Sequence, residues 1–378
     1  MKLNFKRITA SGSFIPEIDG LRFIAIISVI LYHIMLFLVK KDSNQYLDNF
    51  DYSFLQRILE HGFLGVPLFF VISGFILGLP FAKQYLKNEN KVVLSKYFLR
   101  RLSRLEPPYI LVMTLLLLGA VYVAKTVSMS DGITSYISSI FYLNNFIYPG
   151  FTSTLNVVAW SLEVEVQFYI LAPLLAYIFS IKKAFTRRIV LFFLAMLFLI
   201  VNQLYTLPFL SLINYFQYFI IGFFLADLYV SNASLLPKTK NDYLIGLFLF
   251  CFIWVFDNGD FENIYSKIIF ESVQLSSIFF LYYYVLFHKV FKILSFKLIT
   301  NIGGMCYSIY LIHYPIISMI GNPLLKYSFS EYSFVNTFVY VFVLIVSIMI
   351  MSSCFFLMVE RPCMDKDWYK KIFRKKVA

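Results

Sequence analysis

The apolar positions of this chain fall in long runs separated by short polar stretches. Ten runs can be marked, at residues 21–39, 62–82, 107–124, 157–180, 189–205, 209–230, 243–257, 264–287, 299–320 and 334–358. A helix needs about 20 residues to cross a hydrocarbon core, and most runs are close to that length. Two are less clean, because 157–180 carries Glu163 and Glu165 and 264–287 carries Glu271. The aromatic but polar-studded stretch 133–148 reads as interfacial or re-entrant. The pattern predicts an all-α polytopic membrane protein of about ten transmembrane helices. No internal repeat or low-complexity linker divides the chain, so one domain over residues 1–378 is expected, with its core at 15–362 and a basic tail at 363–378.

Composition points the same way, being 60% hydrophobic, 20% aromatic and only 14% charged. A soluble domain of this length would carry far more charge on its surface. The formal net charge is +12, and its distribution argues for a membrane partner and against nucleic acid. Of the 33 Lys and Arg, 27 lie in segments 1–22, 83–106, 181–188, 231–242, 288–298 and 359–378. The other side carries Lys40, Lys41, Arg57, Lys125, Lys267 and Lys326. Such an asymmetry is what the positive-inside rule produces when both termini are cytoplasmic and the protein spans the cytoplasmic membrane. The tail KDWYKKIFRKK suits anionic membrane lipid. Cys251, Cys306, Cys354 and Cys363 lie in or beside apolar runs without metal-ligand spacing, so free thiols and no metal are expected. The first run is long enough to span and has no small-residue cleavage site after it, which predicts a retained helix and no signal peptide.

Ionisable residues inside such runs are expensive and therefore informative. The first run holds Arg22 and His33, eleven positions apart. At 100° per residue they share one helix face, about 16 Å apart along the axis. Arg22 falls at the inner boundary and His33 about 18–20 Å in, within the outer half. His313, on another outward-running span, falls at nearly the same depth, and Glu165 lies about 12–14 Å below the outer face. Glu163 is placed nearer the outer surface, where water can solvate it. On the inner side Arg100, Arg101 and Arg104 close a basic stretch that ends at the helix-starting Pro107 and Pro108. Arg101 and Arg104, three residues apart, can present two guanidinium forks together. The layout resembles a reaction site reached from outside, joined by the polar face of the first span to an anion site inside.

Six motifs follow one another along residues 17–362: IDGLRFIAIISVILYH, GVPLFFVISGF, RRLSRLEPPY, WSLEVEVQFY, CYSIYLIHYP and ERP. In this order they resemble the membrane acyltransferase-3 family of bacterial surface-polysaccharide O-acyltransferases. The resemblance implies transfer of an acyl group, usually acetyl, from cytoplasmic acyl-CoA to an acceptor at the extracytoplasmic face. Carried over by motif, it implies His33 as general base, Arg22, Arg101 and Arg104 as donor-side residues, and Glu165 as the essential carboxylate. Two positions depart from the family pattern. Val166 stands where a second acidic residue commonly precedes QFY, with Glu163 earlier, and Cys306 replaces the first serine of the SYSxYLxH motif.

This chemistry suits the residues. A neutral histidine can take the proton of a sugar hydroxyl, and a carboxylate facing the imidazole would hold its tautomer. Arginine forks bind the phosphates of CoA. His33 either acts on the acceptor directly or first forms an acyl-histidine, and His313 is a second base, a donor to the thioester carbonyl, or structural. His61 and His288 read as interfacial, Ser73 and Gly74 as close-packing positions, and Trp160, Tyr169 and Tyr282–Tyr284 as belt and packing aromatics. Asp19 either caps the first helix or touches the donor. The competing reading is a transporter or flippase in which buried His and Glu relay protons. Because the chain ends shortly after ERP, no appended extracytoplasmic domain is expected. The acceptor is left open among a lipid-linked repeat, an exopolysaccharide, peptidoglycan and a small glycolipid.

Overall fold

A computed structural model describes residues 14–41, 58–150, 153–255 and 261–365, together with Phe5, Gly259 and Trp368. The loop positions around 50 and most of the basic tail lie outside the described residues. The described residues form helices joined by short turns: α1 (Pro16–Lys41), α2 (Gly65–Lys87), α3 (Leu94–Leu118), α4 (Met129–Ile140), α5 (Asn144–Ile147), α6 (Trp160–Leu175), α7 (Ala184–Leu204), α8 (Leu212–Val230), α9 (Asp242–Val255), α10 (Ile264–Tyr283), α11 (Lys297–Gly304), α12 (Cys306–Leu324) and α13 (Ser333–Phe355). Counted with the short turns that extend them, eight of these are long and apolar enough to cross a membrane: α1, α2, α3, α6, α7, α8, α10 and α13.

The two remaining runs differ from expectation in an instructive way. The run at 243–257 forms α9, which at 14 residues is about 21 Å long. The run at 299–320 folds as two pieces, α11 and α12, separated by a turn at Met305. A break in a helix frees backbone groups that a membrane interior cannot satisfy with water, so protein groups must do so. Here the Ser308 N–H, in the first turn of α12, donates to Glu360 Oε2 at 3.0 Å.

Helix ends follow ordinary capping chemistry. Glu17 and Asp19 occupy the first turn of α1 and Lys40 and Lys41 its last, each charge matching the helix dipole. The stretch 133–148 folds as α4 and the single turn α5. The helix expected to start at Pro107 instead begins at Leu94 and runs through both prolines. Those prolines leave the Ser103 and Arg104 carbonyls without their intrahelical N–H, a cost that surrounding contacts can offset. Arg100, Arg101 and Arg104 therefore sit on a helix rather than in a loop.

Three groups of buried apolar side chains hold the bundle together. The largest joins α2, α6, α8 and α10 around Phe75, Phe168, Phe219 and Tyr282. α2 and α8 approach backbone to backbone, since a Cβ on Gly74 would lie 2.2 Å from the Phe219 carbonyl oxygen. The second group packs Ile26, Ile30 and Ile34 of α1 on Ile309, Ile316 and Ile317 of α12 and on Leu344 and Ile348 of α13. The third packs Tyr109 and Met113 of α3 on Leu162 of α6 and Leu311 of α12. α12 belongs to both of the last two groups, and α1 to both of the first two. Side chains on α1 and α12 thus face each other at the centre of the protein.

Candidate active site

His33 of α1 and His313 of α12, far apart in sequence, meet there. His33 Nδ1 and His313 Nε2 are 3.0 Å apart, and the ring centroids are 5.1 Å apart. His313 is fully buried, and its Nδ1 faces the carbonyl oxygens of Ile309 and Tyr310 at 3.0 and 2.8 Å. Carbonyls only accept, so His313 Nδ1 carries the proton and donates. A neutral His313 then presents Nε2 as an acceptor, and His33 Nδ1 must be the donor to it. That leaves His33 Nε2, on the far side of a half-buried ring, with its lone pair uncommitted to His313. A neutral imidazole held in this tautomer can accept a proton through Nε2.

Glu165 does not supply the orienting contact. Ser73 Oγ of α2 donates to its Oε1, and the Tyr169 hydroxyl hydrogen-bonds to it as well. The acceptors beside the histidines are backbone carbonyls, Ile309 and Tyr310 of α12 at His313 and Val29 of α1 at His33. Ser73 is thereby part of a polar network, while Gly74 beside it has the packing role. Glu163 is fully buried rather than solvated. Its two carboxylate oxygens accept the Asn144 and Asn145 N–H groups at 3.2 and 2.8 Å, capping the start of α5.

At the other end of α1 the charges are matched. Arg22 Nη1 donates to Asp19 Oδ1, one turn earlier, at 2.5 Å. Arg104 Nη2 donates to Glu360 Oε1 at 3.1 Å, and Ser308 Oγ donates to Glu360 Oε2 at 2.6 Å. The Glu360 side chain is completely buried. Glu360, the first residue of ERP, thus ties α3 to the start of α12. Nothing local in the ERP motif marks this partner. Cys306 lies within electrostatic reach of Arg22, Glu360, Arg104 and Asp19. Arg101 is placed differently. Its Nη1 donates to the Tyr97 carbonyl at 2.9 Å, its guanidinium lies 3.8 Å from the Tyr97 ring centroid and 5.6 Å from that of Tyr169. Among the described residues no carboxylate lies within ion-pair distance of it. One bond to a carbonyl leaves most of its five N–H donors for an anion.

The six candidate residues therefore divide into a histidine pair, a paired arginine end holding Arg22 and Arg104, and a junction where Arg101 and Glu165 approach the same tyrosine, Tyr169. The acyltransferase domain model matches residues 15–357. The chain belongs to the acyltransferase-3 family. The family's motifs, as they stand in this sequence, supply each of these groups. A Staphylococcus aureus strain COL protein named "Putative O-acetyltransferase SACOL0978" is 27% identical over 350 residues, covering 81% of this chain and 51% of that protein. O-acetyltransferase OatA of S. aureus strain NCTC 8325 is 26% identical over 356 residues, covering 84% of this chain and 53% of its own length. The chain thus spans about half the length of the curated relatives it matches. No solved structure matches it.

The remaining marked residues are structural. His61 Nδ1 contacts the Trp254 carbonyl at 2.8 Å, and His288 Nδ1 lies 2.6 Å from Asp242 Oδ2. Tyr282 donates to the Leu68 carbonyl at 2.8 Å. The Tyr283 hydroxyl accepts the Leu235 and Leu236 N–H groups at 2.9 and 3.1 Å. Arg187 and Arg188 both pair with the fully buried Asp227. That site drew no attention in the sequence, because nothing local marks an aspartate at the end of an apolar helix as the partner of two arginines on another.

Proposed function

We propose that this protein moves an acyl group, acetyl by default, from cytoplasmic acyl-CoA to a hydroxyl of a cell-surface glycan or glycolipid outside the cytoplasmic membrane. The observation that carries the reading is the histidine pair, whose tautomers leave His33 Nε2 uncommitted about 16 Å along α1 from Arg22. In this reading His33 is the general base and His313 the residue that positions it. Arg101 is the principal phosphate ligand of the donor. Arg22 and Arg104 contribute positive charge at the inner mouth while remaining paired. Glu165 sits between the two regions and holds Tyr169, against which Arg101 packs. The hydroxyl proton passes to His33 Nε2 as its oxygen attacks the thioester carbon, and CoA leaves as the thiolate and regains a proton. Ten spans with both termini cytoplasmic place the arginines inside and the histidines toward the outside, with α9 and the broken pair α11–α12 as the two irregular spans.

Proteoliposomes with acetyl-CoA on one face and an acceptor sugar on the other test this directly. CoA should be released on the face where cysteines introduced near 90 and 185 react with an impermeant thiol reagent. Cysteines near 50 and 260 should react from the opposite face. Absence of acceptor-dependent CoA release would overturn the function. A reagent-accessible 83–106 segment on the acceptor side would overturn the orientation.

A further inference from the structure

The aromatic side chains beside His33 have no part in holding its tautomer, yet two of them lie against its ring. Tyr32 lies 5.1 Å from the His33 ring and Tyr314 lies 5.4 Å from it, edge to face. Phe63 meets Tyr32 edge-on at 6.0 Å. Phe63 belongs to a tight turn, His61–Leu64, just before α2. That turn is held flat against α1, since a Cβ on Gly62 would lie 2.4 Å from the Ser28 carbonyl oxygen and 2.8 Å from the Tyr32 Cβ. Its other side is tied down by the His61 contact to the Trp254 carbonyl. The turn brings Glu60, which is exposed, close enough to the Tyr32 hydroxyl to act on it electrostatically, as Tyr314 also does. Phe63 is 37% exposed, and Tyr32 and Tyr314 are half-buried. Two aromatic rings thus lie against the His33 ring, and a third ring and a carboxylate lie next to Tyr32.

We infer that Tyr32, Phe63, Tyr314 and Glu60 form the acceptor subsite, and that its ligand is a pyranose ring. This rests on the acyl-transfer reading above and deepens it. A pyranose presents a face of C–H groups that packs on aromatic rings and a rim of hydroxyls that a carboxylate can accept. A mostly apolar lining with one placed polar group is the usual build of a small-ligand site. With its face on Tyr32 or Tyr314 and a hydroxyl donating to Glu60, the sugar delivers a second hydroxyl to His33 Nε2. That proton moves to His33, the oxygen forms the ester bond to the acyl carbon, and the thioester C–S bond breaks to release CoA.

The test uses the full chain in nanodiscs with acetyl-CoA, comparing chitotetraose with glycerol as hydroxyl acceptors, CoA release and product mass being read together. Tyr314→Leu and Phe63→Leu should each raise the KM for chitotetraose about tenfold. Their dissociation constant for acetyl-CoA, which also reports folding, should stay unchanged. Glu60→Gln should raise the same KM about threefold, the loss of one exposed charged contact. The KM for glycerol, too small to cover a ring, should not move in any of the three. An unchanged chitotetraose KM in both aromatic variants would overturn the subsite, and so would a wild-type protein that uses glycerol as well as chitotetraose. A wild-type protein that binds no acetyl-CoA and releases no CoA would instead overturn the acyl-transfer reading itself.

Discussion

At the N-terminal end of α1, Arg22 is paired with Asp19 and Arg104 with Glu360; eleven positions along the same helix, the partners of His33 among the described residues are neutral: a second histidine, the Val29 carbonyl and aromatic rings. The two regions meet the membrane's penalty for polarity in different ways. A buried charge must be matched, because an unpaired one costs several kcal/mol, so the arginine end is built from ion pairs. A neutral imidazole needs only its hydrogen bonds satisfied, and backbone carbonyls of Ile309 and Tyr310 at His313 and of Val29 at His33 supply the acceptors. This leaves one nitrogen open. Polarity around Arg22 and Arg104 is mostly consumed by structure, while Arg101 has no carboxylate within ion-pair distance among the described residues. At the histidine pair it leaves the nitrogen on which the proposed proton transfer rests.

The sharpest way to break this comparison is at His33. His33→Gln keeps a polar side chain that cannot take a proton, and it should lower acyl transfer by about 10²–10⁴ while leaving acetyl-CoA binding intact. His313 should behave differently. A glutamine there can still accept from His33 Nδ1 through its amide oxygen, so His313→Gln should cost about tenfold or less and His313→Leu clearly more. Rates from single-turnover CoA release decide it. If His313→Gln falls as far as His33→Gln, then the second imidazole takes the proton itself and the neutral relay is wrong.

The arginines come next in expected effect. Arg101→Ala should weaken acetyl-CoA binding about tenfold or more, the worth of a charge-assisted hydrogen bond, with little change in thermal stability. Arg104→Ala should do the reverse, lowering the melting temperature because the buried Glu360 carboxylate loses its cation and keeps only Ser308. Calorimetric titration and thermal melting of both variants separate binding from structure. Equal losses of affinity with no loss of stability in Arg104→Ala would erase the distinction drawn between the two arginines.

The smallest effect is expected at Cys306, the position that departs from the family motif. Its neighbours Arg22, Arg104, Asp19 and Glu360 form polar surroundings in which a hydroxyl is as acceptable as a thiol. Cys306→Ser should leave acyl-transfer rate within about twofold of the parent. A loss of a hundredfold would mean that the thiol takes part in the chemistry.

Local patterns along the chain were enough to determine the class, the approximate helices, and the placing of Arg22 and His33 on one face. The reason is that hydropathy and the 100° turn per residue are set by neighbours in sequence. They were also enough to mark His313, because an ionisable residue in an apolar run is conspicuous whatever surrounds it. What they left undecided was every pairing. That His33 meets His313, that Glu360 rather than a phosphate holds Arg104, and that Glu165 turns to Ser73 depend on helices brought together from distant parts of the chain. So does the burial of Glu163, whose depth along its helix suggested access to water until α5 was placed over it. The continuation of α3 through Pro107 and Pro108 runs against local propensity, whereas the break at Met305 follows Gly303 and Gly304, poor helix formers. At the prolines packing outweighs the backbone's own preference, and at the break one buried carboxylate takes up a freed N–H, because inside a membrane each freed N–H or C=O must find its partner within the protein.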